Sequence, residues 1–163
     1  MIRALQVTTP SDLEIVVTRE FNAPRRLVWE AMTDPQWIRR WIYAPEGWKM
    51  TVCEGGQNVG DAFCWTWNGP DGQPAMTIRG VTRELVPCER AVHTEIMEVG
   101  GVALGELLAT IELTEQEDQT LLRMTLLFPS REARDGAIAS GMERGVSAGY
   151  QQLDVLLATE IER

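Results

Sequence analysis

Leu13, Ile15, Val17 and Phe21 fall on one side of a two-residue alternation, and that spacing predicts a strand over residues 13–21. Ala23-Pro24 then opens a helix, with Pro24 suited to its first turn and Leu27, Val28 and Ala31 forming the buried stripe. Thr33-Asp34-Pro35 stops that helix and starts another. Asp34 is a good N-cap and Pro35 a good first helical residue, so a second short helix runs to about Ile42.

A run of strands follows, each bounded by turn residues. They are expected over 49–53, 63–67, 75–86, 91–99, 104–114 and 120–128. Asn68-Gly69-Pro70-Asp71-Gly72 reads as a hairpin loop, and Gly55-Gly56 and Gly100-Gly101 as turn punctuation. The connections are too short for crossover helices, so the sheet is antiparallel. Ser130 then caps a long helix that is expected to break near Gly136 to Gly141. Ile138, Met142, Val146, Leu153, Leu156 and Leu157 recur along it at helical spacing. The pattern predicts an α+β fold. A curved antiparallel sheet of about seven strands wraps a long C-terminal helix, with two short helices after the first strand. One helix can cover so wide a sheet only if the sheet bends around it.

Met142, Val146, Leu153 and Leu156 share the covered face of the long helix, and Gly145 and Gly149 lie in the middle of it. Glycine inside a helix costs about 1 kcal/mol relative to alanine, so two on that face need a reason. Either they make room for bulky residues from the sheet, or they widen a cavity for a ligand. Phe63, Trp65 and Trp67 place three aromatic rings on one face of a single strand. Met76, Met97, Met124 and Met142 add adaptable thioethers. Trp37, Trp41 and Trp48 cluster around the second helix. Trp37 reads as a clamp holding the short helices to the body, and Trp41 as either a clamp or a cavity wall. The candidate cavity residues are Trp41, Phe63, Trp65, Trp67, Met76, Ile78, Met124, Met142, Gly145, Val146, Gly149 and Tyr150.

Composition narrows the classes. The chain has 163 residues, and at that length folding removes roughly 70% of the unfolded chain's surface, enough for one sizeable core in one domain. A formal net charge of −9 repels phosphate backbones and anionic bilayers, which sets nucleic acid and membranes aside as partners. Cys53, Cys64 and Cys88 are an odd number without paired spacing, which predicts free thiols in a reducing compartment. No apolar run reaches the ~20 residues of a membrane span, and Met1 to Pro10 carries no secretory pattern. A cytoplasmic location is therefore expected.

Catalytic signals are few. His93 stands alone in mid-strand with no motif about it and reads as structural or exposed. No cysteine and histidine cluster has metal-ligand spacing, so no metal site and no cofactor are expected. An enzyme acting in the cavity would have Glu95, Glu106 or Tyr150 as its polar groups, and it would need at least two of them to converge.

Several short stretches, in order, resemble the SRPBCC superfamily (START, or birch-pollen-allergen-like), with its helix-grip fold. Within it, the chain is similar to bacterial proteins related to the C-terminal domain of the activator of heat-shock protein 90 ATPase. The stretches are Arg19 to Pro24, Val28-Trp29, Thr33-Asp34-Pro35, Arg40-Trp41, Gly69 to Gly72, Arg79-Gly80-Val81 and Val86 to Glu95. Gly105-Glu106, Phe128 to Asp135, Ser140 to Gly145, Gly149-Tyr150 and Leu153 complete the set. Together they span roughly residues 12–160, essentially the whole chain. The resemblance implies a cavity between sheet and helix that takes hydrophobic small molecules, without implying one reaction. Some relatives are cyclases or hydrolases, and the family name raises a chaperone-associated, stress-related role. The chain departs from the pattern at Gly55-Gly56 and Gly60-Asp61, and at Val146 or Ser147 where co-chaperone-like members carry tryptophan. The expected partner is a hydrophobic small molecule, for a monomer or homodimer.

Overall fold

A computed structural model describes residues 4–162. Strand β1 (Gln6–Thr8) precedes β2 (Glu14–Phe21), which is followed by α1 (Arg25–Thr33) and α2 (Pro35–Trp41). Pro24 occupies the N-cap of α1 with extended backbone, one position ahead of the first turn where its ring was expected. Asp34 caps α2 by accepting from Gln36 N at 2.9 Å, and Pro35 takes the position where a missing N–H does no harm.

The remaining strands are β3 (Lys49–Gly55), β4 (Ala62–Asn68), β5 (Met76–Val86), β6 (Arg90–Val99), β7 (Val102–Ala103), β8 (Leu107–Gln116) and β9 (Gln119–Leu127). They form one antiparallel sheet in the order β1-β2-β9-β8-β6-β5-β4-β3, with β7 paired to β6 alone. The count is nine rather than about seven because β1 and β7 are added. With three and two residues, neither is long enough to carry an alternation. β7 also delays the next strand: Leu104 N donates to Met97 O at 2.8 Å, and β8 starts only at Leu107.

Ser130 accepts from Ala133 N at 3.1 Å and caps α3 (Arg131–Ala139). The expected break falls at Ser140-Gly141. Gly141 takes a left-handed φ of +85°, a conformation that suits glycine, and α4 (Met142–Ile161) begins directly after it. No helix among the described residues is long and apolar enough to cross a membrane.

The two halves of the sheet differ in what they meet. Ile15 and Val17 of β2, Ala109, Ile111 and Leu113 of β8, and Leu122 and Leu126 of β9 pack with α1 and with Leu153, Leu156 and Leu157 of α4 as the main core. No residue of β3, β4, β5 or β6 joins that buried cluster among the described residues. The C-terminal half of α4 is therefore gripped by close packing. Its N-terminal half, from Met142 to Tyr150, meets this core on one side and on the other faces a space that reaches β4, β5 and β6, where the interior opens.

Candidate ligand cavity

A cavity of about 730 Å³ occupies that space. Strand alternation aims the lining residues inward. Phe63, Trp65 and Trp67 come from β4, Met76 and Ile78 from β5, and His93, Glu95 and Met97 from β6. The cross-strand register stacks them in rows: Trp65 lies beside Ile78 and Ile78 beside Met97, while Trp67 lies beside Met76. Met124 closes the far side from β9, Trp41 enters from α2, and Met142, Gly145, Val146, Gly149 and Tyr150 form the roof on α4. All of the residues proposed from sequence lie on this one surface. Leu104, Gly105, Gly136, Ser140 and Tyr43 are lining residues that also reach solvent, and they mark its rim.

The two helix glycines have a different packing partner from the one the strand aromatics suggested. A Cβ on Gly149 would lie 3.3 Å from Tyr43 N and 3.6 Å from the Trp41 ring, and one on Gly145 would lie 3.4 Å from Tyr43 Cδ2. They make room for the end of α2 and the loop after it, not for an indole from the sheet. The Trp41 ring is held by its Nε1–H, which donates to Ala31 O at 2.8 Å, and by Tyr150, whose ring centroid is 5.8 Å away. Trp41 is thus both clamp and wall. Trp37 packs on the core, and Trp48 leaves the group to lie against Gly69 of the β4–β5 hairpin.

Polar groups on this surface are few. Tyr150 is only 4% exposed and touches Phe21 edge-on at 5.2 Å, and its hydroxyl makes no hydrogen bond among the described residues. Burial pushes its phenol well above the ordinary tyrosine value. The nearby Arg19 charge works against that shift, and the Glu95 charge adds to it. The folded state therefore holds the Tyr150 proton more tightly than the unfolded chain does. Stability is full below about pH 10 and is expected to fall by up to about 1.4 kcal/mol per pH unit above it. Urea unfolding between pH 9 and 11, compared with Tyr150→Phe, checks this, and the variant's slope should be shallower. The indole N–H of Trp67, a residue 2% exposed, also has no partner among the described residues.

His93, expected to be structural or exposed, is half-buried in the cavity wall. Its Nε2 is 2.8 Å from Glu95 Oε1, with the two side chains 15% and 21% exposed, and its ring meets Phe63 edge-on at 5.2 Å. Residues two apart on a strand share a face, so the spacing of His93 and Glu95 already carried the signal for this pair. Glu106 does not join them. It precedes β8, faces solvent and is not part of the lining. Cys53 lies outside the cavity, its thiol donating to Pro35 O at 3.4 Å and pushed up by burial.

A sheet curved around a C-terminal helix, with two short helices in the second connection, is the helix-grip fold of the SRPBCC superfamily. Residues 22–158 match the family model described as Activator of Hsp90 ATPase homolog 1-like protein, and the chain belongs to that family. Its structure is similar to that of a Rhodobacter sphaeroides protein, with 31% identity, a TM-score of 0.84, and 95% of this chain and 98% of the other covered. A Nitrosomonas europaea protein is 23% identical with a TM-score of 0.80, covering 95% of this chain and all of its own. A Mycobacterium smegmatis protein at 19% identity has a TM-score of 0.80 over 96% and 97% of the two chains. These last two show a shared fold. A comparison with curated proteins finds no significant match.

Proposed function

We propose that this chain binds an apolar, aromatic small molecule in the space between β4–β6 and the first half of α4. The observation that carries the reading is the cavity of about 730 Å³ lined mainly by aromatic, methionine and aliphatic side chains. That volume lies within the roughly 300–1,000 Å³ of ordinary small-molecule sites, which share this mostly apolar lining with a few placed polar groups. A void of this size between packed elements forfeits dispersion contacts, and a guest restores them. Three unpaired cysteines and the acidic surface charge support a reducing, cytoplasmic setting, and the continuous sheet supports one domain.

Titration with a hydrophobic fluorescent dye tests the reading, with tryptophan emission as the second signal. Dye uptake is expected at micromolar concentration in the parent chain and at least tenfold weaker in Val146→Trp, which fills the roof without touching the packed half of α4. Equal uptake by both proteins places the dye elsewhere and sinks the proposal. The enzyme reading keeps one foothold, the His93–Glu95 pair inside the cavity, since Glu106 lies in solvent.

A further inference from the structure

We infer that the His93–Glu95 pair is a recognition site for a hydroxyl group, so that the preferred guest is a hydroxylated aromatic molecule rather than a bare hydrocarbon. The inference rests on the cavity being a binding site and adds what the guest must carry. As a carboxylate, Glu95 can only accept, so the imidazole Nε2 at 2.8 Å must donate to it. In a neutral ring that contact places the proton on Nε2. Nδ1, which has no protein partner among the described residues, is left as a lone pair.

The surroundings hold this arrangement in place. Phe63 and Trp65 pack edge-on against the imidazole at centroid distances of 5.2 and 6.5 Å and leave it little room to turn. Across the strands His93 lies opposite Ala109 on one side and Thr82 on the other. The hydroxyl of Thr82 is already committed to Gly56 O at 2.8 Å. A small methyl group and a hydroxyl whose proton is already given to Gly56 O therefore neighbour the ring on the adjacent strands, and neither offers it a donor.

An acceptor fixed within an apolar enclosure discriminates strongly. A guest with an O–H satisfies it, while a guest of the same shape without one leaves it desolvated and unpaired. The flanking rings of Phe63, Trp65 and Trp67 suit a planar aromatic body. The predicted guest is flat and apolar, with one hydroxyl on its rim.

Fluorescence titrations with hydroxypyrene, methoxypyrene and pyrene test this. All three share one ring system, and only the first can donate. The parent chain is expected to bind hydroxypyrene at least tenfold more tightly than either of the others. His93→Phe should erase that preference, bringing hydroxypyrene affinity to within about twofold of pyrene affinity in the same variant. Glu95→Leu, which frees the tautomer, should lower hydroxypyrene affinity by an intermediate amount, and thermal melts confirm that each variant is folded. If the parent chain binds all three equally, or His93→Phe keeps the preference, the hydroxyl site is wrong while the cavity reading stands. If none of the three binds, both readings fall together.

Discussion

Replacing Gly80 by alanine is expected to destabilise the fold by at least about 3 kcal/mol, a large effect for the addition of one methyl group. The added Cβ would lie 1.8 Å from the Thr94 carbonyl oxygen and 2.7 Å from Phe63 Cε1. The first of these is backbone in the neighbouring strand, so relief requires β5 and β6 to part where the chain is already irregular. The register shifts between Thr82 and Glu84, and Val81 N is satisfied by the Thr94 hydroxyl at 2.9 Å instead of by a ladder partner. The second contact is a cavity wall, and moving Phe63 disturbs its edge-on contact with His93. Gly136→Ala serves as the contrast: nothing lies within 4 Å of its Cβ position, it sits in α3, and the change should stabilise by about 0.5–1 kcal/mol. Urea unfolding midpoints for the two variants should move in opposite directions. A Gly80→Ala loss below about 1 kcal/mol would mean that the strands tolerate the parting, and the close-approach argument would fail.

Close approaches of this kind were not legible in the sequence. Arg79-Gly80-Val81 carries a family resemblance and no more, and a glycine in a strand signals a bulge or a neighbour without saying which. What could be read was whatever depends on local period and local turn chemistry. The Asp34-Pro35 helix start, the Ser130 cap and the break before Met142 each rest on residues within one turn of the event. The inward rows Phe63, Trp65, Trp67 and Gly145, Gly149 were visible for the same reason, because two-residue and four-residue spacings put side chains on one face. The division of the sheet into a packed half and an open half depends on how α4 crosses strands distant from it in sequence. No local pattern encodes that crossing, so nothing in the periodicity separated the leucines of the core from the methionines of the cavity. Tyr43 shows the same limit: it follows α2 in an irregular stretch, yet it is the residue that α4's glycines accommodate. His93 and Glu95 are a different case. Their spacing was informative, and taking each alone hid it.

Asp154→Ala is expected to cost about 2–3 kcal/mol, more than the reciprocal change on the arginine side, and the asymmetry follows from burial. Arg19 on β2 reaches Asp154 on α4 with two parallel hydrogen bonds, at 2.6 and 2.5 Å, and is one of the few polar links between the first long strand and the gripped helix. The arginine is 8% exposed, lies 4.7 Å over the Phe21 ring and also donates to Glu20 O at 3.0 Å, whereas Asp154 remains 30% exposed. Removing the carboxylate strands a guanidinium that cannot reach water, and breaking such a buried pair from one side typically costs about 3–5 kcal/mol, discounted here for the solvent access of Asp154. Removing the guanidinium instead, as in Arg19→Met, leaves a carboxylate that solvent can satisfy and an apolar side chain that keeps the packing over Phe21, so a loss of about 1 kcal/mol is expected. The double variant Arg19→Met with Asp154→Ala should recover most of what Asp154→Ala alone loses, because no charge is then left without a partner. A double-mutant cycle on urea unfolding measures this directly. Equal losses for the two single variants would show that the guanidinium finds water after all, and that α4 is held against β2 by its leucines without help from the ion pair.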